Sequence, residues 1–395
     1  MEKKKPHIVL LLTFFVFTSF GCVYDNEATN MARNPSATSI NVALLLPFES
    51  KDSAINELAK SFLNAAELAA SDVTDVDIKL TVYPTSAIPK KAQYAVRKAI
   101  KRGADIIVGP LYSDEAIAIQ PILEESNTKT ISFTNDYSAK GPNNFIIGLT
   151  YKQISDRLLK YAVSRDIKRI AIVAPSGKIG FEATKVVTES IRKNGAVLTI
   201  SAFYPLTITG INQISSKLSA QLVNSKSQGV IFTDSPTLGL GFISSELNRR
   251  LTAKQMASIQ FMGITRWDAT KQTLSEPSLQ GGWFVITDSR FKEKYLTRFS
   301  ETFGYMPHKL SSLSYDAIAA IGALAKNSFK TDETNIFSSE NISNSTGFLG
   351  VGGAFRFNKD GSNERATSVV TSKNGQLIIL DQAPKNFNQV NKSNE

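Results

Sequence analysis

Short, unbroken apolar runs recur along this chain, each separated from the next by a stretch of helical period. Val42-Ala43-Leu44-Leu45-Leu46, ended by Pro47, is the first. A strand with one wet face alternates apolar with polar residues, whereas a strand that is apolar throughout is buried on both faces, as in a parallel sheet covered by helices. Ile55, Leu58, Ala59, Phe62, Ala66 and Ala69 then recur at helical spacing, and Ile78 to Tyr83 reads as a second strand. Ala92, Ala95, Val96, Ala99 and Ile100 line one face of a helix closed by Gly103, and the buried strand Asp105 to Val108 is broken by Gly109-Pro110. The alternation resumes after Tyr151. A helix bearing Ile154, Leu158 and Tyr161 leads to the strand Arg169 to Ala174, a second carries Phe181, Thr184, Val187 and Ile191 and stops at Gly195, and Gly229 to Thr233 and Ile259 to Gly263 are further strands. Strands joined through helices imply right-handed crossovers and parallel sheets. The expected fold class is α/β, with two doubly wound parallel-sheet lobes joined by hinge crossovers.

Most catalytic chemistry lacks its parts. The 395 residues hold one Cys and two His, and His7 falls in a segment read below as removed, which leaves His308. A Ser-His-Asp triad, a Cys-His dyad or a His-bearing zinc site would have to be built around that one imidazole, and zinc sites take several Cys or His together. Gly350-Val351-Gly352-Gly353 lacks the Lys and Ser/Thr of a phosphate loop and precedes the strand-like Ala354-Phe355-Arg356-Phe357, where a nucleotide fold needs a helix. The sequons at Asn341 and Asn344 sit in an Asn/Ser-rich stretch and carry no weight. No catalytic residue, cofactor or metal is assigned.

The amino terminus addresses the chain for export. Lys3, Lys4 and Lys5 precede the apolar run Ile8 to Phe20, too short to span a bilayer but suited to a signal peptide over residues 1–21. Ser19-Phe20-Gly21-Cys22 resembles a lipobox, with Ser19 and Phe20 departing from its usual aliphatic and small residues. Cys22 is the expected lipidation site, the alternative being a secreted protein with a free Cys. Residues 22–39 are polar and read as a tether, and Pro384 to Glu395 as a disordered tail. Removing Lys3, Lys4, Lys5 and Glu2 leaves 42 basic against 34 acidic side chains, a net charge of +8. An exported protein meets little nucleic acid, so anionic lipid, wall polymer or an acidic protein are the counter-charges to consider.

Several segments together resemble the type 1 periplasmic-binding-protein fold of branched-chain amino-acid receptors. They are the opening Val42 to Phe48, Ala104-Asp105-Ile106-Ile107-Val108-Gly109-Pro110-Leu111-Tyr112-Ser113, Lys168 to Pro175, Gly263 to Asp268, Gly281-Gly282-Trp283-Phe284 and Leu313 to Ala317. Within that superfamily the lipobox, Leu44-Leu45-Leu46-Pro47-Phe48 and the stretch Gly350 to Gly361 are similar to the penicillin-binding-protein activator lipoproteins. The helical repeat domain carried by the longest-studied activators has no counterpart before the tether here. The resemblance implies a periplasmic lipoprotein, anchored at the outer membrane, that regulates a bifunctional peptidoglycan synthase by protein contact. The alternative is a solute-binding lipoprotein that delivers an amino acid or similar small molecule to an ABC importer. It also implies lobes that interleave in sequence, the first from residues 40–149 and 283–330, the second from 150–282 and 337–381.

Loops at the carboxyl ends of strands should frame a cleft, bringing Phe48, Tyr112, Ser113, Thr134, Asn135, Tyr151, Ser176, Asp234, Arg266 and Trp267 to it. In amino-acid receptors the loop after the Gly-Pro break holds a carboxylate; here Asp114 and Glu115 follow Ser113 and oppose an anion. Ser113 is either a helix cap or a ligand donor, Trp267 a stacking platform or core filler, and Arg266 a cleft cation or the partner of a nearby Asp. Tyr315 and Asp316 read as capping and packing residues. Lys90, Lys91, Arg97, Lys98, Lys101 and Arg102 meet no acid from Lys90 to Ala104, and form either a solvated face or a partner surface. Replacing Cys22 by Ser is expected to release the protein from the membrane fraction, and undiminished retention in a fractionation experiment would refute lipidation.

Overall fold

The first sheet is organised around β1 (Ser39–Leu46), buried on both faces from Val42 onward. The computed structural model describes residues 39–74, 76–331 and 334–387; the expected signal segment, the tether up to residue 38 and the tail beyond residue 387 lie outside the described residues. After β1 come α1 (Ser53–Asp72), β2 (Asp77–Pro84), α2 (Pro89–Lys101), β3 (Ile106–Val108), α3 (Ser113–Ser126), β4 (Thr130–Ser132) and β5 (Asn144–Ile146). The five strands pair in parallel in the order β2-β1-β3-β4-β5. Successive side chains point to opposite faces. Val42, Leu44 and Leu46 therefore meet Phe62, Ala66 and Ala69 of α1, while Ala43 and Leu45 meet Ala95, Val96 and Ala99 of α2 and Ile119 of α3.

The second lobe begins with α4 (Tyr151–Ser164), whose first turn is capped by the Thr150 hydroxyl accepting from the Gln153 N–H at 3.3 Å. It continues through β6 (Arg169–Pro175), α5 (Lys178–Lys193), β7 (Val197–Tyr204), α6 (Ile208–Asn224), β8 (Gly229–Phe232), α7 (Leu240–Arg250), α8 (Ala253–Ala257), β9 (Gln260–Gly263), α9 (Lys271–Ser275) and β10 (Trp283–Thr287). Then follow α10 (Lys292–Phe303), α11 (Ser312–Thr331), α12 (Ser339–Ile342), β11 (Phe348–Gly350), β12 (Gly353–Phe357), β13 (Asn363–Arg365), β14 (Thr367–Lys373) and β15 (Gln376–Asp381). The second sheet has seven strands in the order β15-β14-β10-β9-β8-β6-β7, with β14 and β15 antiparallel to their neighbours. Val173, Phe232 and Phe284 face α6 and α7, whereas Ile172, Ile231 and Val285 face α4 and α5.

Three expected boundaries are corrected. Trp283 does not begin the return to the first lobe: β10 pairs with β9 and β14 inside the second sheet, so the return starts at Asp288. Nor does the second lobe resume at Phe337. Ile336, Phe337, Ile342, Phe355 and Phe357 all pack in the core of the first, and the chain rejoins the second sheet at Thr367. Pairing partners, not local composition, decide the lobe, and an apolar pentamer reads alike in either. The tail is ordered as far as Phe387, which is buried with Ala354, Ala366 and Ala383, its ring 4.6 Å from the Arg356 guanidinium carbon.

The chain crosses between lobes at 147–150, 288–291 and 365–367, and the crossings lie against one another. Asn363 Nδ2 donates to the Ile146 and Gly148 carbonyls at 2.6 and 3.1 Å, and Arg365 Nη1 donates to the Ile147 carbonyl at 3.0 Å. Asp288 packs onto Gly353, where a Cβ would come within 2.4 Å of its own. A chain ending at Gly282 lacks β10, β14 and β15 from the second sheet and α11 from the first core. It is expected to unfold gradually in denaturant, monitored by circular dichroism; a sharp transition would show that the halves fold independently.

Candidate ligand cleft

Each sheet has one place where successive connections leave in opposite directions, and open α/β sheets place their crevices there. In the first sheet it lies between β1 and β3, in the second between β6 and β8. The loops at those four strand ends carry Phe48, Tyr112, Ser176 and Asp234.

The β1 and β2 loops are bound together. Thr85 N–H donates to the Leu46 carbonyl at 2.9 Å, Ser86 N–H to the Phe48 carbonyl at 3.1 Å, and Lys91 Nζ to Ser86 Oγ at 2.8 Å. Three non-glycine residues in these loops, Glu49, Ser86 and Ala87, hold left-handed backbone at φ of 62°, 54° and 58°. Such conformations persist only where surrounding contacts enforce them, and they concentrate at binding sites. Phe48 itself is half-buried against the first core.

Tyr112, not Ser113, caps α3, and Ser113 is its first residue, half-buried. Glu115 reaches back so that its Oε2 accepts the Tyr112 N–H at 3.4 Å, while Oε1 has no hydrogen-bond partner. Its side chain is fully buried, and this burial pushes the carboxyl above the usual range despite the nearby Thr85 hydroxyl and the Tyr112 N–H. The helix end expected to face an anion is thus filled by the chain's own carboxyl.

Thr134 is buried, its hydroxyl accepting from the Asp136 N–H at 3.0 Å, and Asn135 beside it is exposed. Tyr151 opens α4 and packs on the second core, where burial pushes its phenol up. Ser176 is exposed and donates its N–H to the Tyr204 carbonyl at 2.7 Å. Asp234 organises its loop from within, accepting from the Tyr204 hydroxyl at 2.5 Å, the Ser235 N–H at 2.7 Å and the Gly239 N–H at 2.8 Å. Tyr204 escaped the sequence reading because 30 residues separate it from its partner.

Trp267 is removed from the cleft. It is fully buried in the second core, tilted against Phe284 at 5.7 Å between centroids, and the absent Cβ atoms of Gly263 and Gly282 make its space. Arg266 pairs with Asp268, Nε to Oδ1 at 2.8 Å. Burial alone would raise the Asp268 carboxyl; Arg266, Lys309 and Lys292 outweigh it and hold the group below the usual range. Lys309, from the first lobe, donates to the Asp268 and Ala269 carbonyls at 2.6 and 2.9 Å and so bridges the lobes. Tyr315 donates to Asp72 at 2.6 Å, and Asp316 pairs with Arg365 in full burial. Among the described residues, no three His, Cys, Asp or Glu side chains converge to hold a metal ion.

A raised carboxyl is costly to ionise in the folded state, so Glu115 lowers stability progressively as pH rises above the unfolded value near 4. Glu115→Gln keeps an acceptor for the Tyr112 N–H and removes that cost. It is expected to raise Tm by about 2 °C at pH 7.5 and not at all at pH 4, as read by calorimetry; a gain independent of pH would show that the carboxyl is not ionising under strain.

The model of the periplasmic binding protein family matches residues 39–376. An uncharacterised protein of Rickettsia prowazekii is 22% identical over 251 residues, which make up 63% of this chain and 65% of that protein, so the match spans less than two thirds of the relative. Among solved structures, a putative branched-chain amino-acid ABC transporter protein from Rhodospirillum rubrum superposes with a TM-score of 0.74 at 11% identity, covering 87% of this chain and all of that one. An ABC-type branched-chain amino-acid transporter protein from Rhodopseudomonas palustris gives 0.71 at 17% identity, covering 88% and 96%. At such identities the likeness is one of fold.

Proposed function

This chain belongs to the periplasmic binding protein family, and on that premise we propose that it is a periplasmic solute receptor without catalysis of its own. A small molecule of amino-acid size is held between the lobes and handed to an ABC importer, while lipid on Cys22 anchors the chain to the membrane. The supporting observation is that each sheet has one switch point at the carboxyl ends of its parallel strands, and that three adjoining crossings join the lobes. The chemistry around them selects the ligand class. Loops at the carboxyl end of the first sheet and the turn that opens α3 carry Glu49, Asp52, Asp114, Glu115 and Asp136 against Lys51, Lys90 and Lys91, and Glu115 fills the helix end that would receive a carboxylate. A ligand bearing an ammonium group fits better than a simple carboxylic acid.

A second reading, regulation of a peptidoglycan synthase by protein contact, draws support from the second lobe. Ile179, Phe181, Leu206, Ile208, Leu238 and Phe242 are all exposed at the opening turns of α5, α6 and α7 or just before them. Clustered apolar exposure marks protein contact. The two readings separate in one pair of measurements on the purified protein. A thermal-shift screen of amino acids, dipeptides and polyamines is expected to yield a stabilising amine, by about 2.7 kcal/mol at a hundredfold excess over Kd, in the wild type and in Phe181→Ser/Phe242→Ser alike. No stabilising compound, with retention on a bifunctional synthase that the double variant loses, would establish the second reading instead.

A further inference from the structure

We propose that the outward face of α2, centred on Lys98, Lys101 and Arg102, docks on an anionic lipid bilayer. Three observations carry it. The first is position. A crossover helix runs antiparallel to the strands it covers, so α2 ends where the strands begin. Gly103 turns the chain at φ 77° into β3, where Asp105 N–H donates to the Asn41 carbonyl at 2.9 Å and Asn41 N–H donates to Asp105 Oδ2 at 2.8 Å. Asn41 lies two residues from Ser39, so the amino-terminal segment joins the fold beside the basic end of α2.

The second is the face itself. At about 100° per residue, Arg97 and Gln93 fall on the side turned to α3, and Gln93 indeed donates to the Ala118 carbonyl at 2.8 Å while Arg97 lies 4.0 Å from Glu125. Lys98, Lys101 and Arg102 lie within about 80° of Tyr94 on the same wheel, and Tyr94 is 69% exposed. Among the described residues no acid pairs with Lys98, Lys101 or Arg102. The inward positions are Ala92, Ala95, Val96 and Ala99, small residues that leave the helix seated close on the sheet. The outward face is therefore charged and exposed. A specific protein contact relies on buried anchors in pockets, whereas a plane of headgroups needs only accessible charge, and Tyr suits the interfacial zone.

The third is reach. Sixteen residues separate Cys22 from Ser39, a span of at most about 55 Å fully extended. A chain held by lipid at Cys22 enters the fold at this end of the first lobe, and attraction acts once the face comes within a Debye length of about 8 Å.

The surface is tested apart from the lipid and from solute binding. Residues Thr38–Glu395 form one compact unit and lack Cys22. This fragment is expected to float with vesicles of equimolar phosphatidylcholine and phosphatidylglycerol at low salt, to leave them as salt rises, and to ignore pure phosphatidylcholine. Lys98→Glu/Lys101→Glu/Arg102→Glu, all exposed sites, should weaken partition on the order of a hundredfold with Tm unchanged, and Lys178→Glu/Lys185→Glu/Lys217→Glu on the second lobe should leave it intact. Equal flotation with both vesicle types, or an unaffected triple variant, overturns the proposal. So does retention on immobilised polyglutamate without vesicle binding, which would assign the face to an acidic protein.

Discussion

The architecture depends on one buried ion pair at the junction of the lobes. Asp316, near the start of α11, meets Arg365 at the end of β13, with side chains 0% and 1% exposed. Burial raises the Asp316 carboxyl, and Arg365 with the Val351 N–H, at 2.6 Å, opposes that rise. The guanidinium also holds the Ile147 carbonyl and lies 5.0 Å from the centre of the Phe355 ring. Four segments distant in sequence thus meet at one charge pair. A buried pair adds little net stability over an apolar replacement, yet removing one member costs about 3–5 kcal/mol because the other is left uncompensated. Its contribution is to positional uniqueness: Gly350 and Gly352 have no side chain because Asp316 and Arg365 occupy that space.

With the crossings fixed there, the rest of the cleft follows from strand polarity. Parallel strands present all their carboxyl ends on one side, and each lobe contributes one switch point. The loops are then set by bonds internal to each lobe, such as Asp234 with Tyr204 and Ser86 with Phe48. The interlobe contact through Lys309 is of another kind, since an ammonium on two carbonyls can be exchanged for water. The crossings are thus tied by buried bonds, and Lys309 adds a part-exposed contact between the lobes.

Legibility in the sequence tracked the length and continuity of each signal. β1, β3 and β6 were plain because a continuous apolar run with a Pro or Gly stop fits little besides a strand buried on both faces, and α2 and α5 because small or branched apolar residues recur with helical period. β4, β5 and β13 are three residues each, as β3 is, but lack the Gly-Pro stop that marks β3 and leave no period to read. Lobe membership was misassigned at Trp283 and Phe337 because pairing is a long-range fact that local pattern does not encode. Trp267 was ambiguous for a similar reason, although Gly263 and Gly282 hinted that a large ring needed room. Phe387 stood alone in a polar stretch, and a lone aromatic there is an anchor more readily than an accident.

The candidate cleft was only half legible, and α2 shows why. Its inward positions are fixed by packing on the sheet and betray the helix at once. Its outward positions have no such duty: among the described residues Lys98, Lys101 and Arg102 pair with no carboxylate, and although cations suit a helix carboxyl end, that preference is met within the last turn and does not extend back to Lys90. In the cleft the reverse holds, for Asp234, Arg266 and Trp267 look functional in sequence and prove to be spent on the fold. Residue type therefore marks a site only after the structural demands on each side chain have been subtracted. What remains after that subtraction is a set of acids at one end of the first sheet and an unpaired basic helix end at the other, where the chain enters.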